Sequence, residues 1–135
     1  MTSIQALEMM KTHLVTVRDN STLSDAVDRM DLYQVDELPV LNEEAHLCGW
    51  LRETDIAAAF RIDDIQAAAS YKIIDLMQQP PPTVKDTDLI TQELITTLLA
   101  TFRRMPVVDA GGKLIGTLNR VDIIQALLEN TMFFN

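Results

Sequence analysis

The feature that most constrains this chain is that it repeats itself. Sliding the sequence by 67 residues puts Met10 on Met77, Thr16-Val17 on Thr83-Val84, Asp19 on Asp86 and Leu32 on Leu99. The same register puts Pro39-Val40 on Pro106-Val107, and Leu47, Gly49 and Leu51 on Leu114, Gly116 and Leu118. It also puts Asp55-Ile56 on Asp122-Ile123 and Ala59 on Ala126. Residues 7–60 and 74–127 thus share 13 identities in 54 ungapped positions, against about three or four at ordinary composition. Proline, glycine and aspartate coincide in one register, which accidental alignment of apolar residues does not produce.

Each copy reads as the same string of elements. A short apolar helix leads in, over Ile4 to Met10 and Ile73 to Met77. An extended piece follows, Leu14 to Val17 and Pro82 to Val84; Pro80-Pro81-Pro82 forbids helix there. An amphipathic helix comes next. Leu23, Ala26, Val27 and Met30 recur at helical spacing in the first copy, and Thr22 with Asp25 resembles a capping box. In the second copy Ile90, Leu94, Leu98 and Leu99 share a face. Two strands then form a hairpin. Leu38 to Leu41 turns through Asn42 to His46 into Leu47 to Leu51. Met105 to Val108 turns through Asp109 to Gly112 into Leu114 to Leu118, with Gly111-Gly112 supplying positive φ angles. A last helix starts near Thr54 and near Arg120. Residues 61–73 connect the copies and are alanine-rich, hence helix-prone.

One such unit exposes an apolar face that a small three-stranded sheet cannot bury by itself. The expected fold is therefore α/β (α+β): two β-α-β-β-α repeats, residues 1–67 and 68–135, packed sheet to sheet around a pseudo-twofold axis as one module.

Bulk properties narrow the partners. Twenty acidic and eleven basic residues give a net charge of −9, which disfavours nucleic acid and anionic membrane surfaces. The single Cys48 allows no internal disulfide. No basic-then-apolar leader and no long apolar run is present, so a cytoplasmic protein is expected. His13, His46 and Cys48 do not make a metal-ligand set. No nucleophile–base pairing or GxxxxGK loop is found, so no catalytic residue, metal or required cofactor is expected. Cys48 matches Ile115 and reads as core; Trp50 matches Thr117 and is expected at the sheet surface, facing a cleft or a neighbour.

The second copy's string Arg103-Arg104-Met105-Pro106-Val107-Val108-Asp109, then Leu114-Ile115-Gly116-Thr117-Leu118-Asn119-Arg120-Val121-Asp122-Ile123, resembles the cystathionine β-synthase (CBS) domain. That domain occurs as tandem pairs, and the likeness runs from about Ala6 to Glu129. The resemblance implies a regulatory sensor. Such pairs bind adenosine-containing ligands (AMP, ADP, ATP, S-adenosylmethionine or NAD) in clefts between the repeats and modulate a partner protein, often as dimers. The resemblance makes Asp55 and Asp122 acceptors for ribose hydroxyls, a role an ionised carboxylate suits; the alternative is a first-turn Asp favouring the helix dipole. Three residues earlier the family has Thr or Ser, where this chain has Arg52 and Asn119. Asn119 can cap its helix, and Arg52 can pair with phosphate. Thr54 keeps a hydroxyl beside Asp55. Basic residues before the second strand contact phosphate in relatives. Arg103 and Arg104 fit that, whereas Asp36 and Glu37 oppose it unless Arg52 neutralises them; the alternative is solvated surface charge. The resemblance further carries lining positions onto Thr16, Leu38 and Pro39, and onto Thr83, Met105 and Pro106.

Two function classes follow. One is a nucleotide-responsive sensor whose two clefts differ, the Asp122 cleft being the better unless Arg52 cancels Asp36 and Glu37 and makes the first cleft the tighter. The other is a ligand-free structural or protein-interaction module with degenerate clefts, which the missing Thr/Ser positions favour. A homodimer is expected from Ile62, Ile65, Ile124, Leu128 and the terminal Met132-Phe133-Phe134.

Overall fold

The computed structural model describes residues 4–62 and 65–129. The elements run α1 (Ala6–Met9), β1 (Val17–Arg18), α2 (Leu23–Tyr33), β2 (Glu37–Leu41), β3 (Leu47–Arg52), α3 (Glu53–Ile62) and α4 (Ile65–Ala69). A 3-10 turn at Ile73–Asp75 follows, then β4 (Val84–Lys85), α5 (Gln92–Ala100), β5 (Arg104–Val108), β6 (Leu114–Asn119) and α6 (Arg120–Glu129). Two three-stranded sheets result, ordered β1-β2-β3 and β4-β5-β6. In each, the short first strand pairs in parallel with the second through a helical crossover, and the second and third form an antiparallel hairpin. Val40 faces Gly49 and Val107 faces Gly116, so Pro39 and Pro106 hold equivalent places as the repeat requires. No described helix is long and apolar enough to cross a membrane.

Local chemistry explains where the elements start and turn. The expected capping box closes α2: Thr22 accepts from Asp25 N, and Asp25 accepts from Thr22 N. Thr91 Oγ1 does the same for Leu94 N at the start of α5. In the hairpin turns, Asn42 Oδ1 accepts from Glu44 N and His46 N, and Asp109 Oδ1 accepts from Gly111 N and Lys113 N. Only one residue of each turn needs positive φ, Ala45 (65°) and Gly112 (84°); Gly111 does not.

The chain divides into two compact units that are not its two sequence repeats. One holds Val15–Pro80; the other joins the chain up to Leu14 to Pro81 onward. The lead-ins are exchanged. In the unit with β4–β6, Ala6 N donates to Asp88 O, Leu7 N to Asp86 O, and Ile90 N to Ile4 O, at 2.8–2.9 Å. Lys11 then pairs with Thr117 through two backbone bonds, N to O at 2.8 Å and back at 3.0 Å, extending the free edge of β6. In the unit with β1–β3 the equivalent residues do the same. Ile73 N donates to Ser21 O, Ile74 N to Asp19 O and Leu23 N to Tyr71 O, while Gln78 and Trp50 exchange two bonds of 2.9 Å. Two repeated identities acquire a purpose here. Gly49 lies under Met77 and Gly116 under Met10, so closely that a Cβ at either would overlap the methionine side chain.

Each unit buries its own core. Leu23, Ala26, Leu38, Val40, Leu51 and Ile73 centre one; Ala6, Ile95, Leu98, Met105, Leu118 and Ile123 centre the other. Several expectations change in detail. The lead-in helices shrink to one turn, Ala6–Met9 and Ile73–Asp75, because their flanks pair as edge strands. Val27 is exposed. Ile90 precedes α5 rather than lying in it, and Ile95 with Leu98 forms the buried face; the Leu99 side chain is outside the described residues. Trp50, expected on the sheet surface toward a cleft or a neighbour, is wholly buried. It stands with Pro39 on the sheet face opposite Leu38 and Leu51, its backbone covered by Gln78.

Candidate functional site

The candidate carboxylates sit at the turn from the last strand into the last helix. Arg120 N donates to Arg103 O at 2.8 Å, and Glu53 N to Asp36 O at 3.0 Å. These bonds tie the start of each last helix to the approach of the middle strand. Asp122 and Asp55 fall in the first turns of α6 and α3, where an anion is favoured by the helix dipole.

The two then diverge. Asp55 Oδ2 accepts from Arg52 N at 2.8 Å, so it caps its own helix. Asp122 makes no such bond. Its Oδ1 lies 3.8 Å from Lys11 Nζ, and its Oδ2 is buried without a hydrogen-bond partner among the described residues. The Asp122 side chain is only 20% exposed, that of Lys11 60%. A buried carboxylate oxygen left without a donor costs roughly 1–3 kcal/mol or more, which a ligand hydroxyl would recover.

The surroundings differ as well. Thr117, on the strand face that also carries Asn119, donates its Oγ1 to Asn119 Oδ1 at 2.9 Å. Asn119 Oδ1 accepts from that hydroxyl and, among the described residues, from no N–H of α6, so the cap it could supply is not made. At the equivalent of Thr117 stands Trp50, whose indole is buried with its Nε1 unpaired among the described residues. Arg52 lies 3.6 Å from Glu37 Oε2, its cross-strand partner. The guanidinium thus offsets Glu37 and is correspondingly less available to a phosphate. At the equivalent of Lys11 stands Gln78.

Other expected positions scatter. Pro106 shares the Thr117 face of the sheet and Pro39 the Trp50 face. Leu38 and Met105 point into the two cores. Thr83 is exposed; with Met105, Leu94, Thr91 and Thr97 it lines a groove of about 520 Å³ whose lining includes neither Asp122 nor Asn119. Thr16 is half-buried and Thr54 exposed. Arg104 is half-buried opposite Asn119, and Arg103 is exposed; both take part in polar contacts. Arg120 is absorbed structurally: its Nε donates to Leu98 O and Phe102 O, both at 3.1 Å, satisfying carbonyls at the end of α5.

Cys48 is partly buried against the core, its thiol 4.0 Å from Asp19 Oδ2. Burial, and then the Asp19 carboxylate, push the thiol above its ordinary pKa, which disfavours the nucleophilic thiolate. Among the described residues no three His, Cys, Asp or Glu side chains gather as a metal site. Lys11 is the residue that sequence reasoning missed. Its only signal was its place beside the repeated Met10, and reading it required knowing that the lead-ins are exchanged.

The family model of the CBS domain matches residues 6–62 and 73–129. The chain is similar to a CBS domain-containing protein of Dictyostelium discoideum, 23% identical, covering 90% of each chain. It is also similar to the chloroplastic CBS domain-containing protein CBSX2 of Arabidopsis thaliana, 28% identical over 87% of this chain and 60% of that protein's length. A crystal structure of CBSX2 in complex with AMP superposes with a TM-score of 0.76 at 29% identity, covering 94% of this chain and 98% of that one. The CBS domain pair of protein MJ0100, solved with 5′-methylthioadenosine and S-adenosyl-L-methionine, shares the fold, with a TM-score of 0.74 at 19% identity over 95% and 98% of the two chains.

Proposed function

This chain belongs to the CBS domain family, and on that premise we propose that it is a regulatory module that binds an adenosine-containing ligand and modulates a partner protein. The carrying observation is the buried Oδ2 of Asp122, an acceptor with no donor among the described residues. The two hydroxyls of a ribose are donors of the kind it lacks. AMP is the first ligand to test, because CBSX2, whose crystallised chain this one matches over 98% of its length, was crystallised with it.

In this reading Asp122 takes the sugar, with Thr117 and Asn119 beside it and Arg103 or Arg104 toward the phosphate. Pro106 lines the same sheet face, and Thr83 and Met105 line the groove described above. The two repeats, 1–67 and 68–135, work as one module, as a homodimer in the cytoplasm, without nucleic acid or membrane.

A second reading holds for the Asp55 end. There Asp55 caps its helix, Arg52 is paired with Glu37, and Trp50 occupies the Thr117 position. These favour a closed, structural role for that half, with Thr16, Leu38, Pro39 and Thr54 serving packing and surface rather than ligand. Calorimetric titration of AMP into the wild type, Asp122→Ala and Asp55→Ala separates the readings. Asp122→Ala is expected to weaken binding by at least about tenfold, the value of a hydrogen bond to a charged group, and Asp55→Ala to leave it within a factor of about two. The reverse pattern would reassign the site. Absence of AMP binding to the wild type would favour the protein-interaction module throughout.

A further inference from the structure

We propose that Lys11, besides Arg103 or Arg104, is a residue by which the Asp122 site prefers ligands that carry a phosphate over uncharged nucleosides; this rests on the reading of Asp122 as the ribose acceptor. Lys11 comes from the lead-in, far from Asp122 in sequence. Its backbone is held to Thr117 by two hydrogen bonds, and the neighbouring Met10 is seated on Gly116. Its Cα is thus fixed beside β6, while its ammonium is largely exposed and reaches Asp122 Oδ1 at 3.8 Å.

With no ligand, the ammonium offsets the Asp122 charge. A ribose diol engages Asp122 through the unpartnered Oδ2 and competes for Oδ1. The 5′-phosphate sits on the same sugar, within the swing of a lysine arm whose base does not move. A nucleotide therefore offers the ammonium a new anion as its hold on Asp122 loosens; an uncharged nucleoside offers none. The chain's net charge of −9 repels any incoming phosphate, so a cation fixed at this point weighs on selectivity. The lead-in of the second copy presents Gln78 at the matching position of the other unit, where the same discrimination is missing.

The test uses the full chain and titrates AMP and adenosine into the wild type, Lys11→Met, Lys11→Gln and Lys11→Arg at low and high salt. Lys11→Met and Lys11→Gln are expected to lose about fivefold in AMP affinity, the upper range for an exposed ion pair, with adenosine affinity kept or raised, since its diol no longer competes with the ammonium for Oδ1. Lys11→Arg is expected to keep the preference, and the wild-type preference to shrink in high salt. Because Lys11 is a surface side chain held by its backbone, the variants are expected to melt with the wild type. An AMP-to-adenosine ratio unaltered in Lys11→Met overturns the proposal; if Asp122→Ala still loses both ligands, the ribose reading survives it. If the wild type binds neither ligand, both fall.

Discussion

Ala45 shows how one residue can carry a cost that its repeat partner avoids. It holds φ 65° in the first hairpin turn, where the second has Gly112 at 84°. The turn is demanded by Asn42, whose Oδ1 gathers two backbone donors. An L-residue in the left-handed region pays about 1–2 kcal/mol because its Cβ crowds the following carbonyl. Glycine would remove that, less about 0.4–1 kcal/mol for the looser unfolded chain. Ala45→Gly is therefore expected to stabilise the protein by about 0.5–1 kcal/mol, read as a higher urea midpoint at unchanged slope; a lower midpoint would mean the Ala45 methyl is worth more than its strain. The same scale separates Asp55 from Asp122. Both are first-turn carboxylates of one repeated motif, but one is spent on Arg52 N and the other keeps an oxygen for something else.

Among the elements, the exchanged lead-ins do the most with the fewest residues. Each adds a bridge to the free edge of β3 or β6, which blunts an edge that would otherwise offer unpaired backbone groups. Both approaches depend on glycine, but unequally. The atoms nearest to a Cβ at Gly49 belong to the Met77 side chain, a flexible neighbour. A Cβ at Gly116 would meet Met10 and also the backbone carbonyl of Lys11 at 2.8 Å, which cannot turn away without breaking the Lys11–Thr117 pair. Gly116→Ala is expected to cost about 2–3 kcal/mol and Gly49→Ala nearer 1 kcal/mol, within the range for overpacked sites. Denaturant unfolding of the two variants checks the order. Equal losses would show that the strap moves as readily as a methionine side chain.

At the scale of the molecule, the surface is uneven in a way that bears on assembly. Val121, Ile124 and Leu128 lie on one face of α6 and are 67%, 40% and 82% exposed. The matching positions of α3 are Thr54, Ala57 and Arg61, so the apolar stripe belongs to one helix only. The side chains of Ile62 and Ile65, and all of Met132 to Phe134, invoked for the same purpose, lie outside the described residues. If the proposed homodimer forms on this stripe, Leu128→Asp replaces a buried apolar contact with a charge. It is expected to raise the dimer dissociation constant by ten-fold or more, from about 1.5–3 kcal/mol of lost leucine burial. Light scattering at about tens of micromolar reads the change. A variant that stays dimeric would move the interface off α6.

The sequence alone determined the repeat, the order of elements, the two hairpins with Pro39 and Pro106 in equivalent places, the Thr22–Asp25 cap and the two carboxylates that open the last helices. These are legible because each depends on a short contiguous stretch, whose periodicity and turn chemistry act locally. It also marked the charge contrast between Arg103-Arg104 and Asp36-Glu37. What it left open was which sheet each lead-in covers. Met10 fits over Gly49 or Gly116 equally well on paper, since the repeat places a glycine at the same point of both sheets. Only the tertiary structure decides, through backbone pairing of Lys11 with Thr117 and of Gln78 with Trp50. The burial of Trp50, the place of Lys11 beside Asp122 and the loss of Asn119 as a cap all follow from contacts whose partners a local reading does not rank. A repeated sequence specifies its elements twice, but it cannot by itself say which copy of an element meets which; that is settled by packing the whole chain at once.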